Sequence, residues 1–195
     1  MSRTCRRTLS ELRAMATKAA RGAGCEWGVA DEAGLAVRAL ESRGLPGAAS
    51  LAQLFDSPRR CACHDSAASA ACALRLLTDL LDAPPDRSAV LGRVAAPLIL
   101  AVALVDHKQG VRLDWGSGSV TCGLGAIKGA GDMLPTDAPE VVMQMGVLPD
   151  AGAPPSHASR EVSAAAFAQL DALAARTYVP ETDASRARGA GDGAR

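Results

Sequence analysis

The stretch TLSELRAMATKAARGAGCEWGVADEAGLAVRALESRG, Thr8 to Gly44, decides the fold. Thr8-Leu-Ser-Glu11 has the form of a capping box, in which the threonine hydroxyl meets the amide three residues on and the glutamate reaches back to the cap amide. Leu9, Leu12, Ala16, Ala19 and Ala23 then recur at alternating steps of three and four, which lays one apolar stripe along a helix. Gly22 and Gly24 stop it, so the spacing predicts a helix over 9–21. A second helix begins near Trp27, carries Ala30, Ala33, Val37 and Leu40 on one stripe, and ends at Arg43-Gly44 with Pro46 beyond. Gly34 costs about 1 kcal/mol of helix propensity relative to alanine, so its place inside the helix predicts close approach of the first one. The two should pack as an antiparallel hairpin with small residues at the contact.

Leu51, Leu54 and Phe55 suggest a short third helix before Ser57-Pro58, and residues 57–66 read as an exposed connector. From Ser66 to Asp82, Ala67, Ala70, Ala71, Leu74, Leu77 and Leu81 fit another helical stripe, closed by Ala83-Pro84-Pro85. The apolar run Val94 to Val105 shows no period, and its Ala, Leu and Ile content favours a buried helix starting near Pro97 over a strand. Val111 to Trp115 and Ser119 to Leu124 alternate around Gly116-Ser-Gly118, a hairpin signal, and Val141 to Met145 is a third strand. Residues 129–140 and 149–157 are rich in Gly and Pro and read as loops. Ser163 caps a last helix with Phe167, Leu170 and Ala174 inward. The expected fold is therefore one α+β domain over 1–195. Residues 1–56 form the N-terminal helical hairpin and a further helix, and 67–180 hold a helix, a small antiparallel sheet from about 111 to 146 and a C-terminal helix. Residues 181–195 are a Gly/Arg tail.

Twenty-one basic side chains against 21 acidic ones, with a pI near 6.8, argue against a dedicated nucleic-acid binder. A hydrophobic share of 48% excludes a disordered chain. The longest apolar run falls short of the roughly 20 residues a membrane span needs, and no apolar stretch follows MSRTCRR as it would in a secretory signal. The expectation is a soluble, cytoplasmic protein with no nucleic-acid or membrane partner. Its six cysteines then read as free thiols. Cys61-Ala-Cys63-His64, with Cys72 beyond, falls outside the C-x2-C spacing of zinc sites, so neither metal nor cofactor is expected. Gly123-Leu-Gly-Ala-Ile-Lys-Gly matches no phosphate-loop pattern and reads as a hairpin end. His64, His107 and His157 form no ligand motif and read as solvated or capping residues.

Two segments carry more polar specificity than folding requires. In Lys18-Ala-Ala-Arg21-Gly-Ala-Gly24-Cys-Glu-Trp27, two cations close a helix, where they interact favourably with its dipole, and the tryptophan reads as a core plug. In Thr177 to Gly191, Tyr178 stands with Glu181, Ser185, Arg186 and several glycines, a mixture able to hold an anion through guanidinium and backbone N–H donors. An unanchored terminal tail accounts for the same composition.

These segments, LSELRAMATKAARGAGCEWGVADEAGLAVRAL (Leu9 to Leu40) and TYVPETDASRARGAG (Thr177 to Gly191), resemble the opening and closing motifs of a proteobacterial family, domain of unknown function 3726. The resemblance implies that Lys18, Arg21, Trp27, Gly28, Glu32, Tyr178, Pro180, Ser185 and Arg186 belong to a family pattern. It implies no catalytic residues. The expected function is a non-enzymatic accessory or small-anion-binding protein, in which the tail folds back to bring Ser185 and Arg186 near Lys18, Arg21 and Trp27. One alternative is an enzyme of unrecognised type acting on a small anionic substrate, with Tyr178, Glu181 or Glu32 as acid or base. The other is a protein-interaction subunit.

Overall fold

The computed structural model describes residues 3–56, 71–135, 138–150 and 159–178. After strand β1 (Thr4–Arg7), helix α1 (Leu9–Gly22) starts at the capping box. The Glu11 amide donates to Thr8 Oγ1 at 3.2 Å, and the Thr8 amide donates to Glu11 Oε2 at 2.7 Å. That backbone bond, then the hydroxyl, holds the Glu11 carboxyl below its ordinary pKa.

Helix α2 (Trp27–Ser42) returns along α1 through buried small residues, Ala16, Ala19 and Ala20 on one side and Ala30, Ala33 and Ala36 on the other. At the crossing, a Cβ on Gly34 would overlap Thr17 Oγ1 and stand 3.0 Å from the Arg13 carbonyl oxygen. The low helix propensity of Gly34 is thus exchanged for close packing, as its position in the sequence predicted. The opposite flank of α1 meets helix α5 (Ala164–Ala174), where a Cβ on Gly22 would overlap the Leu173 carbonyl oxygen. Helix α3 (Gly47–Asp56) has no hydroxyl cap; the buried carboxyl of Glu41 on α2 caps it instead, its Oε1 accepting the Ala48 amide at 2.9 Å. Helix α4 (Ala73–Asp82) buries Ala73, Leu74 and Leu77 against the same core.

The α+β class holds, and the sheet extends beyond 111–146. Strands β2 (Ala71–Cys72), β3 (Ala89–Ala95), β4 (Val111–Asp114), β5 (Gly118–Gly123), β6 (Ala126–Gly131) and β7 (Ala138–Met145) form six strands in the order β2-β3-β7-β4-β5-β6. All neighbours are antiparallel except β2 and β3. A separate antiparallel pair joins β1 to β8 (Arg160–Ser163), and Ser163 then caps α5 by accepting the Ala166 amide.

Three expectations are corrected. The buried helix expected near Pro97 does start there but is a short 3-10 helix, Pro97–Val102, and the head of the run is not helical: Val94 and Ala95 end β3, and Ala96 turns in the left-handed region at φ 54°. The run lacks a period because both pieces are buried among other elements. The helix expected from Ser66 begins only at Ala73, since Ala71 and Cys72 pair with Val94 and Ala95. The loop expected over 129–140 is strand at both ends, in β6 to Gly131 and in β7 from Ala138, and its glycines answer to crowding: a Cβ on Gly129 would overlap Met133 Sδ, and Gly131 (φ 78°) would bring one within 2.6 Å of the Ser117 carbonyl. Ala67, Ala70, the connector 57–66 and the tail 181–195 lie outside the described residues. Among those described, no helix is long and apolar enough to cross a membrane.

Two stability measurements test this packing. Gly22→Ala should destabilise the protein by about 3 kcal/mol, as overpacking against fixed backbone does, although propensity alone favours alanine by about 1 kcal/mol. A urea midpoint equal to or above that of the unsubstituted protein would overturn the contact. For Glu41, burial pushes the carboxyl pKa up, opposed by the Ala48 amide and Arg160. The folded state then holds its proton more tightly than the unfolded chain, so this group's contribution is complete at acid pH. It is lost as pH rises from the ordinary carboxylate range through the raised value. Glu41→Gln keeps an acceptor for Ala48 without the charge, so its stability relative to the parent should improve from pH 4 to pH 7. A pH-independent difference would contradict this.

Candidate functional site

The face of α1 that avoids the core carries Ser10, Arg13, Ala14, Thr17, Lys18 and Arg21, a helical succession of alternating steps of three and one. These residues floor an open groove of about 870 Å³. Its length along α1 is roughly 16 Å at 1.5 Å per residue. Trp27 and Arg38 of α2 form one wall, and Arg176 and Thr177, in the 3-10 turn Ala175–Thr177 after α5, form the other. Gly22 and Gly24 line the end where the chain turns between α1 and α2.

Five cations therefore share one groove: Arg13, Lys18, Arg21, Arg38 and Arg176. Among the described residues no carboxylate pairs with any of them; the ion pairs there join Arg112 to Asp114 and Lys128 to Asp150. Arg21 donates to the Cys25 carbonyl oxygen and lays its guanidinium 4.3 Å from the centre of the Trp27 ring. Lys18 Nζ stands 5.5 Å from the centre of the Tyr178 ring. Like charges held in a concave surface without a carboxylate partner among the described residues raise the local concentration of anions.

Residues 7–78 match the family described as Protein of unknown function (DUF3726). The match, a little over a third of the chain, takes in the floor of the groove and the α2 wall and stops well before Arg176. It contains the first of the two sequence motifs, Leu9 to Leu40; the second, Thr177 to Gly191, lies outside the DUF3726 match. The searches of curated proteins and of solved structures gave no match.

Of the residues singled out in the sequence, Lys18, Arg21 and Trp27 line the groove, and Tyr178 stands beside Lys18 at its rim. Glu32 is half-buried on α2 and is not part of the lining. Glu181, Ser185, Arg186 and Pro180 lie outside the described residues. Trp27 is not a core plug: it is the first residue of α2, 71% exposed, while the apolar stripe of that helix starts at Ala30. Trp115 fills the core instead, its Nε1–H donating to the Asp132 carbonyl at 2.9 Å. Sequence reading missed Arg13, Arg38 and Arg176. The signal for Arg13 was present, because the polar face of the first helix was legible once its apolar stripe had been assigned; Arg176 required knowing that α5 packs beside α1.

Outside the groove, His107 is half-buried with Nε2 3.1 Å from the Pro85 carbonyl oxygen, a packed position and not a solvated one. Cys61, Cys63, His64 and His157 lie outside the described residues, and among those described no three His, Cys, Asp or Glu side chains are grouped to hold a metal. Cys25, beside the Arg21 turn, is a free thiol. Burial foremost, with Cys72 as a second influence, pushes its pKa up to about 11; burial pushes Cys122 up to about 12. A thiol attacks as thiolate, so neither is a nucleophile at neutral pH. Ellman's reagent at pH 8 should leave Cys25 and Cys122 unmodified in the folded protein and label them in urea. Prompt labelling of Cys25 in the folded protein would contradict this burial.

Proposed function

We propose that this protein is a non-enzymatic accessory protein whose α1 groove binds a small anionic ligand. The observation that carries the reading is the set of five cations lining one concave surface without a carboxylate among its described lining residues. Arg13, Arg21, Arg38 and Arg176 offer forked N–H donors suited to phosphate or carboxylate oxygens, and Lys18 adds a point charge. Ser10, Thr17 and Thr177 supply hydroxyls between them. The remaining lining is indole, methyl and glycine, a surface for holding a ligand more than for moving its protons.

The tail belongs to this proposal. The chain reaches the rim of the groove at Tyr178. Seven further residues, which bring it to Ser185, span up to about 25 Å when extended, longer than the groove itself. Ser185 and Arg186 are therefore within reach of a ligand held by Lys18 and Arg21, and Glu181 lies on the way.

Thermal unfolding with pyrophosphate as probe tests the reading. At 100 times its Kd the probe should stabilise by about 2.7 kcal/mol, a rise in Tm of about 5–10 °C for a chain of this size. Arg38→Ala and Arg176→Ala should each reduce the shift, a chain ending at Tyr178 should reduce it further, and Arg75→Ala on the exposed face of α4 should not. Equal shifts in all of these proteins would place the binding elsewhere.

A further inference from the structure

The charges of the groove do not account for its two rings. The chain has five aromatic side chains. Trp115 is buried, Phe55 and Phe167 are half-buried, and Arg7 covers the ring of Phe167. The two exposed rings, Trp27 at 71% and Tyr178 at 63%, come from opposite ends of the sequence and stand at the same end of one groove. Each rests on a cation of α1, Tyr178 on Lys18 and Trp27 on Arg21. A cation–π contact at an exposed site is worth only about 0.5–1 kcal/mol, little return for leaving an indole in water. Arg21 is itself tied to the Cys25 carbonyl, which fixes it against one face of Trp27, and the high exposure of the ring leaves the other face open.

The cations are spread in a complementary way. Arg21 and Lys18 lie beside the rings, while Arg13 stands further along α1, roughly 12 Å from Arg21 and roughly 7.5 Å from Lys18 in helical rise. Arg38, on the same stretch of α2 that leads away from Trp27 past Gly34, shares that far end with Arg13. A lone small anion engages one end and leaves the other unused; an arm of linked anionic groups engages both.

We propose that the groove recognises a flat aromatic ring carried on a polyanionic arm, the chemistry of a nucleoside polyphosphate. The ring stacks on the open face of Trp27, and the arm runs over Lys18 toward Arg13 and Arg38. This rests on the anion-binding reading and extends it to a ligand class. No glycine loop is involved: the phosphates are held by side chains, in line with the absence of a phosphate-loop motif in the sequence.

Calorimetry with ATP, tripolyphosphate and adenosine separates the two layers of the argument, using the full chain, Trp27→Ala and Trp27→Phe. ATP should bind about fivefold or more tightly than tripolyphosphate, the lower end of what base–aromatic stacking contributes. Trp27→Ala should abolish that preference, Trp27→Phe should keep most of it, and tripolyphosphate should bind all three proteins alike. ATP should also quench the exposed Trp27 and leave Trp115, the one indole of Trp27→Ala, unaffected. Equal affinities for ATP and tripolyphosphate in all three proteins would overturn the ring inference and leave anion binding standing. Failure of both polyanions to bind would remove both readings. Adenosine binding as tightly as ATP would overturn the role of the arm.

Discussion

Everything else in this molecule depends on how closely α1 is gripped from two sides. Gly34 admits α2 against Thr17 and Arg13, and Gly22 admits α5 against its own backbone at Leu173. Alanines fill the rest of the contact, so the helices approach without large side chains between them. Close packing on two flanks of a helix leaves one face uncovered, and here the uncovered face lies at the bottom of a valley whose walls are the two gripping helices. The groove is thus a consequence of small residues, not of an opening left in the core.

The same constraint explains which residues became functional candidates. A helix face flanked by neighbours is partly shielded from solvent, so charges placed on it are less screened than on a convex surface. Arg13, Thr17, Lys18 and Arg21 follow the periodicity of that face, and Arg38 and Arg176 approach from the walls because their helices are locked in place by the glycine contacts. Glu41 contributes at a distance: by capping α3 from within the core it fixes the exit of α2, the wall that carries Trp27 and Arg38.

Local signals made the helical part of this fold legible and long-range ones hid much of the sheet. Thr8 and Glu11, the Ala16 and Ala30 stripes, Gly34 and Ser163 each declare an element from within a few residues. β1 and β8 do not, because four-residue segments that carry arginines acquire strand geometry only by pairing across the whole chain. β3 is irregular around Gly92, which breaks the alternation that would have marked it, and β2 is two residues long. For the site, Lys18, Arg21 and Trp27 stood out because their segment carries more polar specificity than folding requires. The wall that carries Arg176 was invisible until the packing of α5 beside α1 was known.

Net charge is where sequence and structure diverge most instructively. Twenty-one cations against 21 carboxylates describe a neutral chain, and neutrality speaks to solubility and to non-specific attraction, which act through the whole surface. A ligand in the groove does not meet the whole surface. It meets five cations with no carboxylate among the described lining residues, while the remainder of the chain is net acidic by five charges. Charge balance over the whole chain therefore does not argue against an anion site, because opposite charges cancel in the sum wherever they lie, while a bound group responds mainly to the charges within about a Debye length of it.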